Sequence, residues 1–570
     1  MKVKFNAETV AHAFLELLSM RGIDYFFANA GTDFATIVEA FAQRKAEGKE
    51  WPRPMAIHHE IPLVGMAQGY YLVTGKPQAA MVHVNVGTAN SLGGLMIARH
   101  ARVPILFAAG RTPITEEGEF GSRTGHIHWA QESFDQAGLV REYVKWDYEL
   151  KMPSQLETVV DRALTMAMSE PRGPVYLSLP REVLATPMGE VEFEKEPRYD
   201  LPTFHPDPGK IQEAADLLAK AEFPLVITSS VGRSPAAVQL LIDLAETGAI
   251  GVIPFASEFM NFPVDHPCHL GYWPGPYFDK ADVILVLDCD VPWFPQIFKP
   301  KDSTVVIQGG IDPFYSRIPI RSFPSDLTLQ GDPTLLLSQL TEVLKNESKL
   351  DGEKIQRRNE ELGKIHDRIR KEWQAMAQKV AHDAPLDPNW ISHHLNGHLG
   401  EDTLLVNEFH NAVPEQCDLS PGTYLSAPHA GYLGWSLGTA LGAKLASPEK
   451  TVIATVGDGS YMFSVPSASH SISRTFELPI LVIVYNNRCW NAVKRATKSV
   501  HPDGLATRAN EFPLSDLGPT AHYEKICEAF GGYGERVETP DQVAPAIERA
   551  LHVVKHEKRQ ALLNMVCKIP

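Results

Sequence analysis

Thr451-Val-Ile-Ala-Thr-Val456 runs straight into Gly457-Asp458-Gly459-Ser460, and Ile480-Leu-Val-Ile-Val-Tyr485 runs into Asn486-Asn487. A short apolar run halted by a polar, Gly- or Asn-rich turn reads as a buried strand of a parallel sheet. Asp458 and Asn487 are 29 positions apart, room for a strand, a crossover helix and a second strand. Both polar ends then fall at the carboxyl edge of neighbouring strands, where open α/β sheets bind ligands. An Asp carboxylate and an Asn carbonyl suit a hard, oxygen-seeking cation such as Mg²⁺. The glycines permit close approach of a diphosphate, and the helix that follows favours anionic oxygens at its N-terminus.

The same alternation extends outward in both directions. Strands are expected at Tyr25–Ala28, Gln78–Val84, Val103–Ala108 and Pro174–Leu179, with a small-residue helix from Gly87 to Ala98. A second group follows at Phe223–Thr228, Gly251–Pro254, Val283–Leu287 and Thr304–Ile307, and a third opens at Leu404–Val406. Strands alternating with helices imply an α/β fold, read here as three doubly wound parallel-sheet domains. The expected boundaries are 1–185, a linker at 186–207 rich in Glu and Pro, 208–344, a charged helical connector at 345–384, and 385–570. In 345–372, 16 of 28 residues are charged, the pattern of a solvated helix face. The first and third regions share a strand-then-glycine style that alone does not establish a repeat.

Composition narrows the function classes. The net charge of −16 argues against nucleic-acid binding, but one amide-lined pocket still accommodates an anion. Six scattered cysteines with no CxxC pair suggest reduced thiols and a cytoplasmic setting. Met1–Met20 reads as an amphipathic helix rather than a signal peptide, and no run of some 18 apolar residues suggests a membrane span.

GDG followed by NN resembles the cofactor motif of thiamine diphosphate-dependent enzymes. Ile57-His-His-Glu60 with Gly65-Met-Ala-Gln-Gly-Tyr-Tyr71, and Gly431-Tyr-Leu-Gly-Trp-Ser-Leu-Gly-Thr-Ala-Leu-Gly-Ala-Lys444, resemble two further segments of that family. The resemblance spans nearly the whole chain. It implies pyrimidine-binding, middle and diphosphate-binding domains, with thiamine diphosphate and Mg²⁺ as cofactors. It also implies a homodimer or homotetramer whose active sites lie between subunits. FAD is possible in such a middle domain, but no flavin motif is seen.

The resemblance assigns roles residue by residue. Glu60 matches the glutamate on the cofactor's aminopyrimidine. Asp458, Asn487 and the carbonyl of Cys489 match the Mg²⁺ ligands. Gly431 and Leu433 match the residues that hold the bent cofactor. Gly459, Ser460, His410 and Asn411 fall where relatives contact the diphosphate. His83, in Met81-Val-His83-Val-Asn-Val, matches a proton-transferring histidine of benzoylformate decarboxylase, and Asn85 shares its face if the segment is extended.

Some positions depart from that pattern. Thr32 stands where a substrate-binding serine is usual. Val291–Gln296 lacks the decarboxylase's second histidine. His126 and His128 resemble a histidine pair of pyruvate decarboxylase-like members. Trp490, with Trp293 and Phe294, is expected to line a bulky substrate pocket. The implied activity is cleavage of a C–C bond beside a carbonyl, most simply non-oxidative decarboxylation of a 2-keto acid through an enamine. The alternatives are a carboligase or lyase of acetolactate synthase type acting on keto acids or acyloins, and a non-catalytic cofactor-binding paralogue.

Overall fold

The structure, a computed structural model, describes residues 1–197, 200–346, 348, 350–409 and 412–569. The apolar runs form three parallel sheets flanked by helices. Across the first, the strands lie in the order Arg53–Ala56, Tyr25–Asn29, Gln78–Val82, Ile105–Arg111, Val175–Pro180 and Asp147–Glu149. Across the third they lie as Tyr424–Ser426, Thr403–Glu408, Thr451–Gly457, Leu481–Asn486, Ala561–Val566 and Tyr533–Val537. Numbered along the chain within each sheet, both orders are 2-1-3-4-6-5. The likeness of the first and third regions is therefore one of topology. The middle sheet, Gly251–Pro254, Pro224–Thr228, Val283–Leu287, Val305–Gly310 and Leu327–Gln330, has the order 2-1-3-4-5.

Two expectations are corrected. The helix expected from the N-terminus starts only at Val10, because Lys2–Thr9 is a strand. Its alternation of Lys2, Lys4 and Asn6 with Val3, Phe5 and Ala7 has a period of two. The Thr9 hydroxyl caps the helix by accepting the His12 N–H at 3.3 Å. Its antiparallel partner is Pro187–Glu194, the first half of the stretch expected to be a linker. The acidic run is one face of that strand, with Lys2 against Glu192 and Lys4 against Glu190, each at 3.3 Å.

The charged helix, Gly352–Lys379, is not wholly solvated. Leu362 and Ile369 enter the core of the middle sheet. The buried Arg358 guanidinium donates to the carbonyls of Gly248, Ala219 and Ala221. A second core joins the first and third sheets through helices Glu60–Thr74 and Trp435–Ala446. Glycine makes that approach possible, since a Cβ on Gly69 would lie 2.0 Å from the Thr439 carbonyl oxygen and one on Gly442 would lie 2.1 Å from that of Met66. Among the described residues, no helix is long and apolar enough to cross a membrane.

Candidate functional site

Three adjacent strands of the third sheet, Thr403–Glu408, Thr451–Gly457 and Leu481–Asn486, bring Glu408, Asp458 and Asn487 to one edge. There Gly431, Leu433, Asp458, Gly459, Ser460, Asn487, Cys489 and Trp490 line one cavity of about 700 Å³. Trp490 packs so closely on Gly459 that a Cβ there would lie 2.1 Å from the indole. Any larger residue at position 459 would displace the ring.

The donor set fits a hard cation. Asp458 and Asn487 are almost fully buried, and both offer oxygen. The Asp458 carboxylate accepts the main-chain N–H groups of Gly459 at 3.0 Å and Arg488 at 2.7 Å, while Asn487 Oδ1 accepts that of Cys489 at 2.9 Å. Burial pushes the Asp458 carboxyl up to about 6. A buried acid in that condition is stabilised in its charged form by a cation. Asp458, Asn487 and the Cys489 carbonyl therefore suit Mg²⁺, and the glycine-lined turns above them suit a diphosphate.

Glu408 belongs to the same wall. Its Oε1 accepts the Gly434 N–H at 2.7 Å and its Oε2 accepts the Ser436 N–H at 2.8 Å. The carboxylate thus satisfies the N-terminus of the glycine-rich helix Trp435–Ala446 and fixes the turn that carries Leu433. Desolvation raises its pKa to about 7.

A second cluster forms at the equivalent edge of the first sheet. Glu60 opens helix Glu60–Thr74, is 7% exposed, and accepts the Asn90 side-chain amide at 3.3 Å. His83 follows strand Gln78–Val82, and its Nδ1 lies 2.5 Å from Asp33 Oδ1. That hydrogen bond raises the His83 pKa against the opposing effect of burial. Gln131 Nε2 lies 3.1 Å from His83 Nε2 and donates to it when the ring is neutral. The Thr32 hydroxyl stands 3.5 Å from His128 Nε2. His128 Nδ1 accepts the Thr124 N–H at 3.0 Å, and burial lowers its pKa.

Other expected residues are placed differently. His126 is exposed, and the histidine turned toward Thr32 is His128. Asn85 does not share a face with His83, because the chain enters a helix at Val84, whose φ of +31° is strained for a β-branched residue. Asn85 donates instead to the Ser133 hydroxyl at 3.0 Å. Trp293 packs against Phe278 and Phe323 in the middle core, and Phe294 against Phe255, away from the cavity. His410 and Asn411 lie outside the described residues. Asp33 and Glu408 are site residues that the motifs do not mark, although Asp33 directly follows Thr32 and Glu408 lies two positions beyond the expected strand Leu404–Val406.

Two family models match the chain: the thiamine pyrophosphate enzyme N-terminal TPP binding domain over residues 8–139, and the C-terminal TPP binding domain over 414–565. Benzoylformate decarboxylase of Pseudomonas aeruginosa is 26% identical over 503 residues, 85% of this chain and 87% of the relative. Acetolactate synthase isozyme 3 large subunit of Escherichia coli is 23% identical over 525 residues, 88% of this chain and 86% of the relative. The solved thiamine diphosphate-dependent 4-hydroxybenzoylformate decarboxylase of Rhodococcus jostii RHA1 superposes with a TM-score of 0.78 at 21% identity, covering 99% of each chain. The motifs, the two sheet edges and these matches agree that the chain belongs to the thiamine pyrophosphate-dependent enzymes.

Proposed function

We propose that the chain is a thiamine diphosphate- and Mg²⁺-dependent enzyme that removes CO₂ from a 2-keto acid without oxidation. The observation that carries this reading is the division of the matched residues between two sheet edges. Gly431, Leu433, Asp458, Asn487 and Cys489 line one cavity, while Glu60 and His83 lie outside the described residues that line it. A second copy of the chain would bring the Glu60 edge of one subunit to the Asp458 edge of the other.

In that assembly Asp458, Asn487 and the Cys489 carbonyl hold the metal, and Gly431 and Leu433 hold the ring system. When bound, thiamine diphosphate supplies a carbon nucleophile toward a ketone carbonyl. The chain's own task is to orient and to manage protons. The Glu60 carboxylate, sheltered and steadied by Asn90, exchanges a proton with the aminopyrimidine. His83 Nε2, kept basic by Asp33, is the proton donor and acceptor beside the reacting carbonyl. Thr32 and Trp490 contribute to binding the keto acid.

The test is to incubate the loaded protein with a panel of 2-keto acids, with and without acceptor aldehydes, and to identify the products. Release of CO₂ and an aldehyde supports the reading, and abolition by Glu60→Gln supports the assigned proton role. A product formed only with an acceptor makes the protein a carboligase. Normal turnover in Glu60→Gln refutes that residue's role.

A further inference from the structure

His100, Glu258 and His429 meet where the three sheets adjoin, and Asp290 stands against His100. His100 ends helix Leu92–His100 beside the first sheet. Glu258 and Asp290 lie on the loops beyond strands Gly251–Pro254 and Val283–Leu287 of the middle sheet. His429 is on the turn before helix Trp435–Ala446, where it lines the cavity described above. Ligand atoms of His100, Glu258 and His429 all lie within 4.8 Å of one another.

Each carboxylate has one oxygen anchored and the other offered. Glu258 Oε2 accepts the Ser230 hydroxyl at 3.1 Å, and its Oε1 stands 3.9 Å from His100 Nε2. Asp290 Oδ1 accepts the Val291 N–H at 2.8 Å, and its Oδ2 stands 3.1 Å from the same nitrogen. Outer hydrogen bonds of this kind orient metal ligands before the metal arrives. Glu258 and Asp290 are 5% and 8% exposed, and the cationic groups beside them are the His100 ring and, 3.9 Å from Glu258 Oε2, the Arg233 guanidinium.

We propose that these four side chains form a site for one divalent transition-metal ion of the zinc type. Two imidazole nitrogens and two carboxylate oxygens make a four-coordinate donor set whose two negative charges neutralise the ion. Bonds of 2.0–2.2 Å put tetrahedral ligands about 3.4 Å apart. His100 Nε2 is already near that distance from both carboxylates, and the exposed His429 ring closes the remainder by rotating inward. On binding, the ion takes the Nε2 lone pair of His100, and the proton shared with Asp290 leaves to solvent. The closed site pins the turn carrying His429, Gly431 and Leu433 to the other two sheets.

The full chain, stripped with a chelator and reloaded with thiamine diphosphate and Mg²⁺, is titrated with Zn²⁺, and in parallel with Co²⁺. One Zn²⁺ per chain is expected to bind below about 10 µM, and Co²⁺ is expected to give the visible absorption of a tetrahedral site. His429→Ala, at an exposed position that folding tolerates, is expected to weaken binding at least about 10-fold and to abolish the Co²⁺ band. Glu258→Gln is expected to do the same. Absence of that equivalent in the unmodified chain overturns the proposal, as does unchanged affinity in His429→Ala. Neither readout depends on the reaction proposed above.

Discussion

His83 Nδ1 and Asp33 Oδ1 are 2.5 Å apart at the carboxyl edge of the first sheet, with Asp33 3% exposed. The carboxylate holds the ring's tautomer and raises its pKa. A raised histidine pKa contributes stability that is fully present below the ordinary value near 6.5 and is lost as pH rises through the folded value. Asp33→Asn should therefore lower the His83 titration midpoint, followed by NMR of the ring protons. The stability gap between parent and variant should be larger at pH 6 than at pH 9. An unmoved midpoint would show that Asp33 does not set the charge of His83.

Gly110 supports the same pair from behind. A Cβ on it would lie 1.7 Å from Asp33 Oδ2. Gly110→Ala should push Asp33 off His83 and lower turnover more than it lowers the melting temperature. Equal activity in a folded variant would contradict this.

Asp458→Ala should remove the carboxylate on which the metal depends. Changes in the outer shell of a metal site commonly cost 10–100-fold in affinity, so loss of a direct ligand should weaken joint binding of Mg²⁺ and thiamine diphosphate by at least about 100-fold. Isothermal titration calorimetry reads this directly, and normal binding would remove Asp458 from the site.

Glu408 titrates in the opposite sense to a paired acid. Its pKa rises to about 7 on folding, so the folded state binds the proton more tightly than the unfolded one. Stability then falls as pH climbs from the ordinary carboxyl value toward 7, by up to about 3 kcal/mol. Glu408→Gln keeps the shape but not the charge. Its unfolding free energy should change less over that interval, by urea denaturation of the cofactor-free protein at pH 5 and pH 7.5. Parallel pH profiles for the two proteins would refute this.

Gly442→Ala drives a methyl group against the Met66 carbonyl. Overpacking in a core costs about 1–3 kcal/mol, and backbone cannot yield as a side chain does. Thermal unfolding should show a loss at the upper end of that range, whereas an unchanged midpoint would mean that the two helices slide apart freely.

The strands and the Asp458–Asn487 edge were legible because each is a local pattern: an apolar run, then a polar turn. The pairing of Lys2–Thr9 with Pro187–Glu194 was not, because each partner looks complete by itself and the ladder joins distant segments. Asn85 was misplaced by a backbone reversal at Val84 that its side chain does not advertise. Asp33 was overlooked beside Thr32 because what marks it is proximity to His83, 50 positions away. The His100–His429 junction joins three folded units, and no window of sequence contains it.

The core shared by the first and third sheets bears on how the chain is made. Leu63 and Leu437 belong to one apolar cluster, yet Leu437 follows about 370 residues later. At 5–20 residues per second, the ribosome takes about 20–75 s to deliver it. Throughout that interval the nascent N-terminal unit carries a bare, glycine-grooved helix face. A chaperone that shields such a face should raise the yield of soluble protein, and N-terminal fragments ending before Trp435 should aggregate.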